Sequence, residues 1–198
     1  IHRDVKPSNV MVKRDEQGLW RAVVMDFGLA HDPEAEEQLT KSGMVMGTPA
    51  YMSPEQARGD IRQVDRRSDI YGLGAVLYEL LTGSPPFVGE NSVAMVVQVL
   101  MEDPVDVREL VPTIPADLAI ITMKCLEKEL SHRYESALAL ADDLQAYLAA
   151  EPISARSPSF LYRIRKQVRK HQSSVMLASM TTAAVLLALL GVNYFQNR

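Results

Sequence analysis

Two short polar motifs, separated by room for one β-hairpin, constrain this chain more than any other feature. His2-Arg3-Asp4-Val5-Lys6-Pro7-Ser8-Asn9 comes first, and Asp26-Phe27-Gly28 follows. Between them, Val10-Met11-Val12 and Ala22-Val23-Val24-Met25 are apolar, β-prone runs around the turn cluster Asp15-Glu16-Gln17-Gly18, so the spacing predicts an antiparallel hairpin. Such a hairpin brings the chain back to its starting end and sets Asn9 near Asp26. An amide oxygen and a carboxylate are hard ligands of the kind Mg²⁺ demands. Asp4 adds a carboxylate suited to accepting a proton, Lys6 adds a cation two residues on, and Gly28 gives the backbone freedom that the turn needs. Either motif alone would pass for ordinary polar loop residues. The ordered pair is mechanistically complete for one side of an active site.

These motifs resemble those of the eukaryotic-like (Hanks-type) Ser/Thr protein kinases, and the resemblance runs from Ile1 to about Ala150. It implies an α+β, mainly α, fold of the protein-kinase large-lobe kind. It also implies transfer of the γ-phosphate of ATP to Ser or Thr hydroxyls of protein substrates, with Mg²⁺ as cofactor. A phosphoryl group in flight carries dispersed negative charge, so such a site mainly positions groups and neutralises charge. By this resemblance Asp4 accepts the proton of the substrate hydroxyl, Lys6 contacts the γ-phosphate, and Asn9 and Asp26 hold Mg²⁺. Met11 would lie under the adenine ring, with plain core packing as the alternative. Lys6 argues for Ser/Thr rather than Tyr specificity.

The stretch from Asp26 to Glu55 is similar to an activation segment. Its centre, with Thr40, Lys41, Ser42 and Gly43, has too little apolar content to hold itself in place. Gly47-Thr48-Pro49-Ala50-Tyr51-Met52-Ser53-Pro54-Glu55 resembles the family's substrate-docking loop and its Ala-Pro-Glu motif, with serine in place of alanine. Thr48 is thereby implied to bridge Asp4 and Lys6. Glu55 is implied to form a buried ion pair with Arg133, in Ser131-His132-Arg133-Tyr134. Arg3, beside Asp4, is a natural counter-ion for a phosphate on Thr40 or Ser42. The plainer alternative is two unmodified loop hydroxyls.

The remainder of this region reads as helices. Ser68 to Gly83 begins with a capping residue, ends at glycine and is apolar nearly all round, which predicts a buried central helix. The resemblance implies that Asp69 holds the catalytic-loop backbone from below; a carboxylate in the first turn also suits the helix dipole. Further helices are predicted from about Asn91 to Met101, from Pro115 through Cys125 to Glu127, and from about Ser136 to Ala149. The lone Cys125 permits no internal disulfide and is expected to be a buried helix residue rather than a reactive thiol.

Composition changes after Glu151. Residues 1–150 carry 14 Lys or Arg against 24 Asp or Glu, whereas Arg156, Arg163, Arg165, Lys166, Arg169 and Lys170 follow with no acid among them. No charge appears from Gln172 to Asn197, and Val175 to Val192 is predominantly apolar, a length that matches the roughly 20 residues needed to cross a hydrocarbon core. The expected organisation is a kinase large lobe over 1–150, a basic juxtamembrane linker over 151–172 and a membrane-spanning helix over 173–195. The basic run puts the kinase region on the cytoplasmic side of the cell membrane, and Tyr194 and Phe195 sit where interfacial aromatics anchor. Because Ile1 immediately precedes the first motif, the small lobe, with its Gly-rich loop and strand lysine, is expected upstream in a longer parent. The expected partners are protein substrates and the membrane, with no nucleic acid, and a homodimer of the parent is compatible with the sequence. Two functions compete: an active Ser/Thr kinase, and a non-catalytic kinase-like scaffold that binds partner proteins. Asp4, Lys6, Asn9 and Asp26 together favour the first, since a scaffold has no physical need of all four.

Overall fold

The computed structural model describes residues 1–27, 49–60 and 62–156. Gly28, Thr40, Ser42, Thr48 and the span predicted over 173–195 lie outside the described residues. Chain contacts separate two units, Ile1–Leu144 and Gln145–Arg198, each taken by itself.

The first unit starts with a 3₁₀ turn, Pro7–Asn9, that leads directly into the hairpin β1 (Val10–Arg14) and β2 (Trp20–Val24). The strands are antiparallel, with Val10 opposite Val24 and Arg14 opposite Trp20. The turn is built from the side chain of Asp15, whose Oδ1 accepts the Gln17 and Leu19 amides while Oδ2 pairs with Arg21. Gly18 takes a φ of 78° there, which glycine adopts at little cost. Apolar side chains on the hairpin stay exposed, among them Val12, Trp20 and Met11, the last at 49% exposure. Core packing is therefore not what Met11 does in the described structure.

Six helices follow among the described residues: α1 (Pro54–Ala57), α2 (Arg66–Thr82), α3 (Ser92–Met101), α4 (Val107–Leu110), α5 (Ala116–Cys125) and α6 (Ala137–Leu148). α2 is the central one. Tyr71, Ala75 and Tyr78 from its buried face meet Val107, Ile114, Ala119 and Leu126 in one core. The helix is less uniformly buried than its composition implies, since Leu80 is 78% exposed. Its cap is Asp65, which accepts the Arg67 amide, and Ser68 sits inside the first turn. Gly83 ends it at φ 82°. Two glycines let α2 pack closely: a Cβ on Gly72 would come within 2.9 Å of the Val5 Cβ, and one on Gly74 would overlap the side chain of Cys125.

α3 is capped by Asn91, which accepts the Ala94 amide, and α6 by Ser136, whose hydroxyl accepts the Ala139 amide. α5 ends at Cys125, short of the predicted Glu127. The carbonyls of Glu127 and Lys128 are turned instead toward the Arg133 guanidinium. In the second unit, Ala150 closes the end of α6 with φ 56°, and the Glu151 amide donates to Ala146 O at 2.7 Å. Among the described residues no helix is long and apolar enough to cross a membrane.

Candidate active site

The loop Ile1–Asn9 is fixed from three directions before any of its chemistry begins. From below, Asp69 in the first turn of α2 accepts the His2 amide on Oδ2 at 2.8 Å and the Arg3 amide on Oδ1 at 2.7 Å. From the side, Gln56 in α1 donates through Nε2 to Arg3 O at 2.6 Å, while its Oε1 accepts the Ser53 amide and hydroxyl. Within the loop, the buried His2 ring lies 2.7 Å from Met25 O through Nε2. Since a carbonyl only accepts, Nε2 carries the hydrogen, and Nδ1 is then free to accept the Asp4 amide at 3.3 Å. The ring also tilts against Phe27, centroid to centroid 4.8 Å.

These restraints hold Arg3 at φ 70° and Asp26 at φ 57°, left-handed conformations that non-glycine residues seldom take. Strained backbone of this kind persists only where the surroundings over-determine it. Here the carboxylate of Asp69, the amide of Gln56 and the ring of His2 all act on a few consecutive residues.

Asp4 sits at the centre. Its carboxylate pairs with Lys6 Nζ at 2.7 Å, and Oδ2 also accepts Asn9 Nδ2 at 2.9 Å. The same Nδ2 donates to Asp4 O at 2.8 Å, so both hydrogens of the Asn9 amide are committed to Asp4. Its oxygen, an acceptor only, has no hydrogen-bond partner among the described residues. The Met25 amide donates to Asn9 O at 2.9 Å, which ties the residue before Asp26 to Asn9 across the mouth of the hairpin. The structure thus brings Asp4, Lys6 and Asn9 into direct contact and binds the Asp26 end of the hairpin to the Asn9 end. Met11 lies on β1, half-exposed.

An amide oxygen from Asn9 and a carboxylate from Asp26 form a donor set that fits Mg²⁺, which takes oxygen ligands and keeps positions for waters and substrate phosphates. Among the described residues no group of three or more His, Cys, Asp or Glu side chains forms a complete metal cage. A two-ligand site completed by phosphate needs none.

A second assembly lies away from this centre. The Arg133 guanidinium meets the Glu55 carboxylate side-on, Nη1 to Oε1 and Nη2 to Oε2, both at 2.9 Å. Its remaining donors go to the Glu127, Arg67 and Lys128 carbonyls. Ser68 Oγ donates to Glu55 Oε1 at 2.6 Å. Burial pulls the Glu55 carboxyl upward, but the hydrogen bonds and charge of Arg133, with the Ser68 hydroxyl, outweigh it and hold the group below the usual glutamate range. The pair clamps α1 to the start of α2, and α1 carries Gln56 to the loop of Asp4. Nearby, Tyr51 donates to Glu79 Oε2 at 2.7 Å; burial and that carboxylate push its phenol up to about 12.

Three participants escape the sequence analysis: His2, Gln56 and Ser68. For Gln56 a signal exists, because Ser53 and Gln56 have capping-box spacing. Its second bond, to Arg3 O, crosses 53 positions and leaves no local trace.

The model of the protein kinase domain family matches residues 1–144. Serine/threonine-protein kinase PknB of Mycobacterium leprae is 42% identical over 155 residues, covering 78% of this chain and 24% of that protein. A probable serine/threonine-protein kinase of Streptomyces coelicolor, SCO3848, is 42% identical over 156 residues, 78% of this chain and 22% of its own length. The DNA damage-responsive serine/threonine-protein kinase RqkA of Deinococcus radiodurans is 46% identical over 141 residues, 71% of this chain and 20% of its own length. The chain therefore spans about a quarter of the length of the curated relatives it matches.

Proposed function

The chain belongs to the protein kinase domain family, and on that premise we propose that it forms the catalytic large lobe of a membrane-linked Ser/Thr protein kinase. The observation that carries this is the Asp4 carboxylate held between Lys6 and Asn9, with the Asn9 oxygen left over for a cation. Asp4 accepts the proton of the incoming Ser or Thr hydroxyl as the oxygen attacks the γ-phosphorus of ATP. Lys6, already bound to Asp4, stands where it can neutralise charge on the transferring phosphoryl group. Asn9 orients Asp4 and, with Asp26, would hold Mg²⁺, which when bound supplies charge neutralisation at the phosphates. Met11 is assigned to the adenine face, and its exposure leaves that face accessible. Asp69, Gln56 and His2 position the loop without touching substrate.

Regulation and location belong to the same proposal. Arg3 immediately precedes Asp4 in the sequence, and a phosphate on Thr40 or Ser42 would pair with its guanidinium and order the segment that carries Thr48. The apolar run over 173–195 anchors the protein, with the basic linker and the kinase region on the cytoplasmic side.

The test uses the full-length protein. Asp4→Asn should abolish phosphate transfer to a protein substrate while leaving the fold intact by circular dichroism, and Asn9→Ala should raise the Mg²⁺ concentration required. Undiminished transfer by the Asp4→Asn variant overturns the assignment. A wild-type protein that binds partners but transfers no phosphate points to the scaffold instead.

A further inference from the structure

Ser53 stands where the family's Ala-Pro-Glu motif has alanine, and its buried hydroxyl is committed. It donates to Gln56 Oε1 at 2.8 Å, and the Ser53 amide donates to the same oxygen at 3.2 Å. With Oε1 turned to these two donors, Nε2 of Gln56 faces the other way and donates to Arg3 O at 2.6 Å. A backbone N–H only donates and a carbonyl only accepts, so one orientation of the Gln56 amide satisfies both ends. Among the described residues this is the one hydrogen bond that joins the loop Ile1–Asn9 to the stretch Pro49–Ala57.

Arg3 O belongs to the peptide plane that carries Asp4. The N–H of the same plane, that of Asp4, reaches His2 Nδ1 at 3.3 Å, the longer of its two restraints. The preceding plane is held by the Arg3 amide on Asp69 Oδ1 at 2.7 Å. Both planes that flank Arg3 are therefore pinned, and the residue between them keeps φ 70°. Release of Arg3 O would leave the second plane on the His2 contact alone, free to turn toward the conformations that non-glycine residues prefer. Such a turn re-aims the Asp4 carboxylate. At the other end, Ser53 closes the stretch Pro49–Ser53, which Tyr51 ties to α2 through Glu79 Oε2.

We propose that Ser53 and Gln56 are positioning residues of one relay. Ser53 orients the Gln56 amide, Gln56 holds the Arg3–Asp4 peptide plane, and that plane aims the Asp4 carboxylate. The relay couples the stretch that follows Thr48, where a protein substrate docks, to the group that takes the proton of its hydroxyl. It rests on the reading of Asp4 as that proton acceptor. Helix capping does not require it. Glutamate at position 56 would still accept the Ser53 amide as a capping-box residue, but its carboxylate has no hydrogen for Arg3 O.

The experiment compares full-length wild type, Gln56→Glu, Gln56→Ala, Ser53→Ala and the double variant Ser53→Ala with Gln56→Glu at pH 7.5. Amide hydrogen exchange of the His2–Val5 segment is followed by mass spectrometry, beside kcat and KM for phosphate transfer to a protein substrate. Gln56→Glu should speed exchange at Arg3 and Asp4 severalfold and lower kcat about tenfold, with KM for ATP unchanged. Gln56→Ala should do the same. Ser53→Ala should give a smaller loss of kcat alone and none beyond that of Gln56→Glu in the double variant. Exchange and kcat of Gln56→Glu equal to wild type overturn the proposal, because the glutamine is then a helix cap only. A further loss in the double variant overturns the role given to Ser53. A wild-type protein that transfers no phosphate overturns the reading of Asp4 instead. The hold on the Arg3–Asp4 plane is then still decided by exchange, which supports it if faster in Gln56→Glu and overturns it if unchanged.

Discussion

Replacing Arg133 by methionine should be among the most damaging single changes available in the first unit, and the structure fixes why. All five N–H donors of the guanidinium are used: two on the Glu55 carboxylate and three on the Glu127, Arg67 and Lys128 carbonyls. Methionine fills much of the same volume but supplies no donor, so it leaves a buried carboxylate and three backbone acceptors without this partner. Breaking a buried pair from one side costs about 3–5 kcal/mol, against a total domain stability of roughly 5–15 kcal/mol. Arg133→Lys should rescue little, because one ammonium cannot reproduce a side-on fork and three carbonyl contacts. The double variant Glu55→Gln with Arg133→Met should lose less than the single Arg133→Met, since no charge is then stranded. The assay is urea unfolding of each variant at pH 7 and in mild acid. In the wild type the Glu55 carboxyl is depressed, so its contribution is present above the unfolded value of 4.5 and is lost as pH falls through the folded value. In Arg133→Met the charge and fork of the guanidinium are gone and only the Ser68 hydroxyl still opposes burial, so the carboxyl rises and protonation relieves the variant as pH falls. The gap between the two proteins should therefore narrow on acidification. A loss below about 1 kcal/mol at pH 7, the size of an exposed pair, or a gap that widens in acid, would refute the reasoning.

Asp69→Asn keeps one oxygen for the His2 or Arg3 amide and turns an NH₂ toward the other, so about 1.5–3 kcal/mol of charge-assisted bonding is lost at the base of the loop. Phosphate transfer by the full-length protein should fall roughly tenfold or more, and unchanged kcat would show that the loop is held without it. Gly74→Ala places a methyl in the side chain of Cys125 and should lower stability by about 1–3 kcal/mol, with part recovered by adding Cys125→Gly; thermal melts of the two variants decide. The Cys125 thiol is fully buried and pushed up to about 12 by that burial, so a thiol reagent at pH 8 should label it only as the protein unfolds. Rapid labelling of the native protein would show that the core around α5 opens.

Local patterns in the sequence carry the hairpin, the four longer helices and the two motifs at the hairpin mouth, because each rests on signals within a few residues: alternation, turn chemistry, caps. The failures are where a partner lies far along the chain. Ser68, the capping residue expected from the sequence, lies inside the first turn of α2 with its hydroxyl donated to Glu55, thirteen residues away, and Asp65 caps the helix instead. α5 stops at Cys125, where the Leu126 amide turns to Met123 O, and the carbonyls of Glu127 and Lys128 beyond it accept from Arg133. α1 and α4, at four residues each, are too short for any period to register.

The same distinction explains how the candidate site is built. Residues proposed to touch substrate or metal, Asp4, Lys6, Asn9 and Asp26, come from a short stretch, and their chemistry is legible at once. What gives that stretch its shape comes from elsewhere: Asp69 from α2, Gln56 from α1, and the buried pair of Glu55 and Arg133 that clamps α1 to α2. A left-handed Arg3 and a left-handed Asp26 are costly by about 1–3 kcal/mol each. The His2 ring supplies part of the restraint from within the loop, and the packed helices supply the rest through a carboxylate, an amide and a guanidinium. It follows that the positions most damaging to the loop are spread over α1, α2 and the turn at Arg133. Sequence spacing alone would confine them to the two motifs.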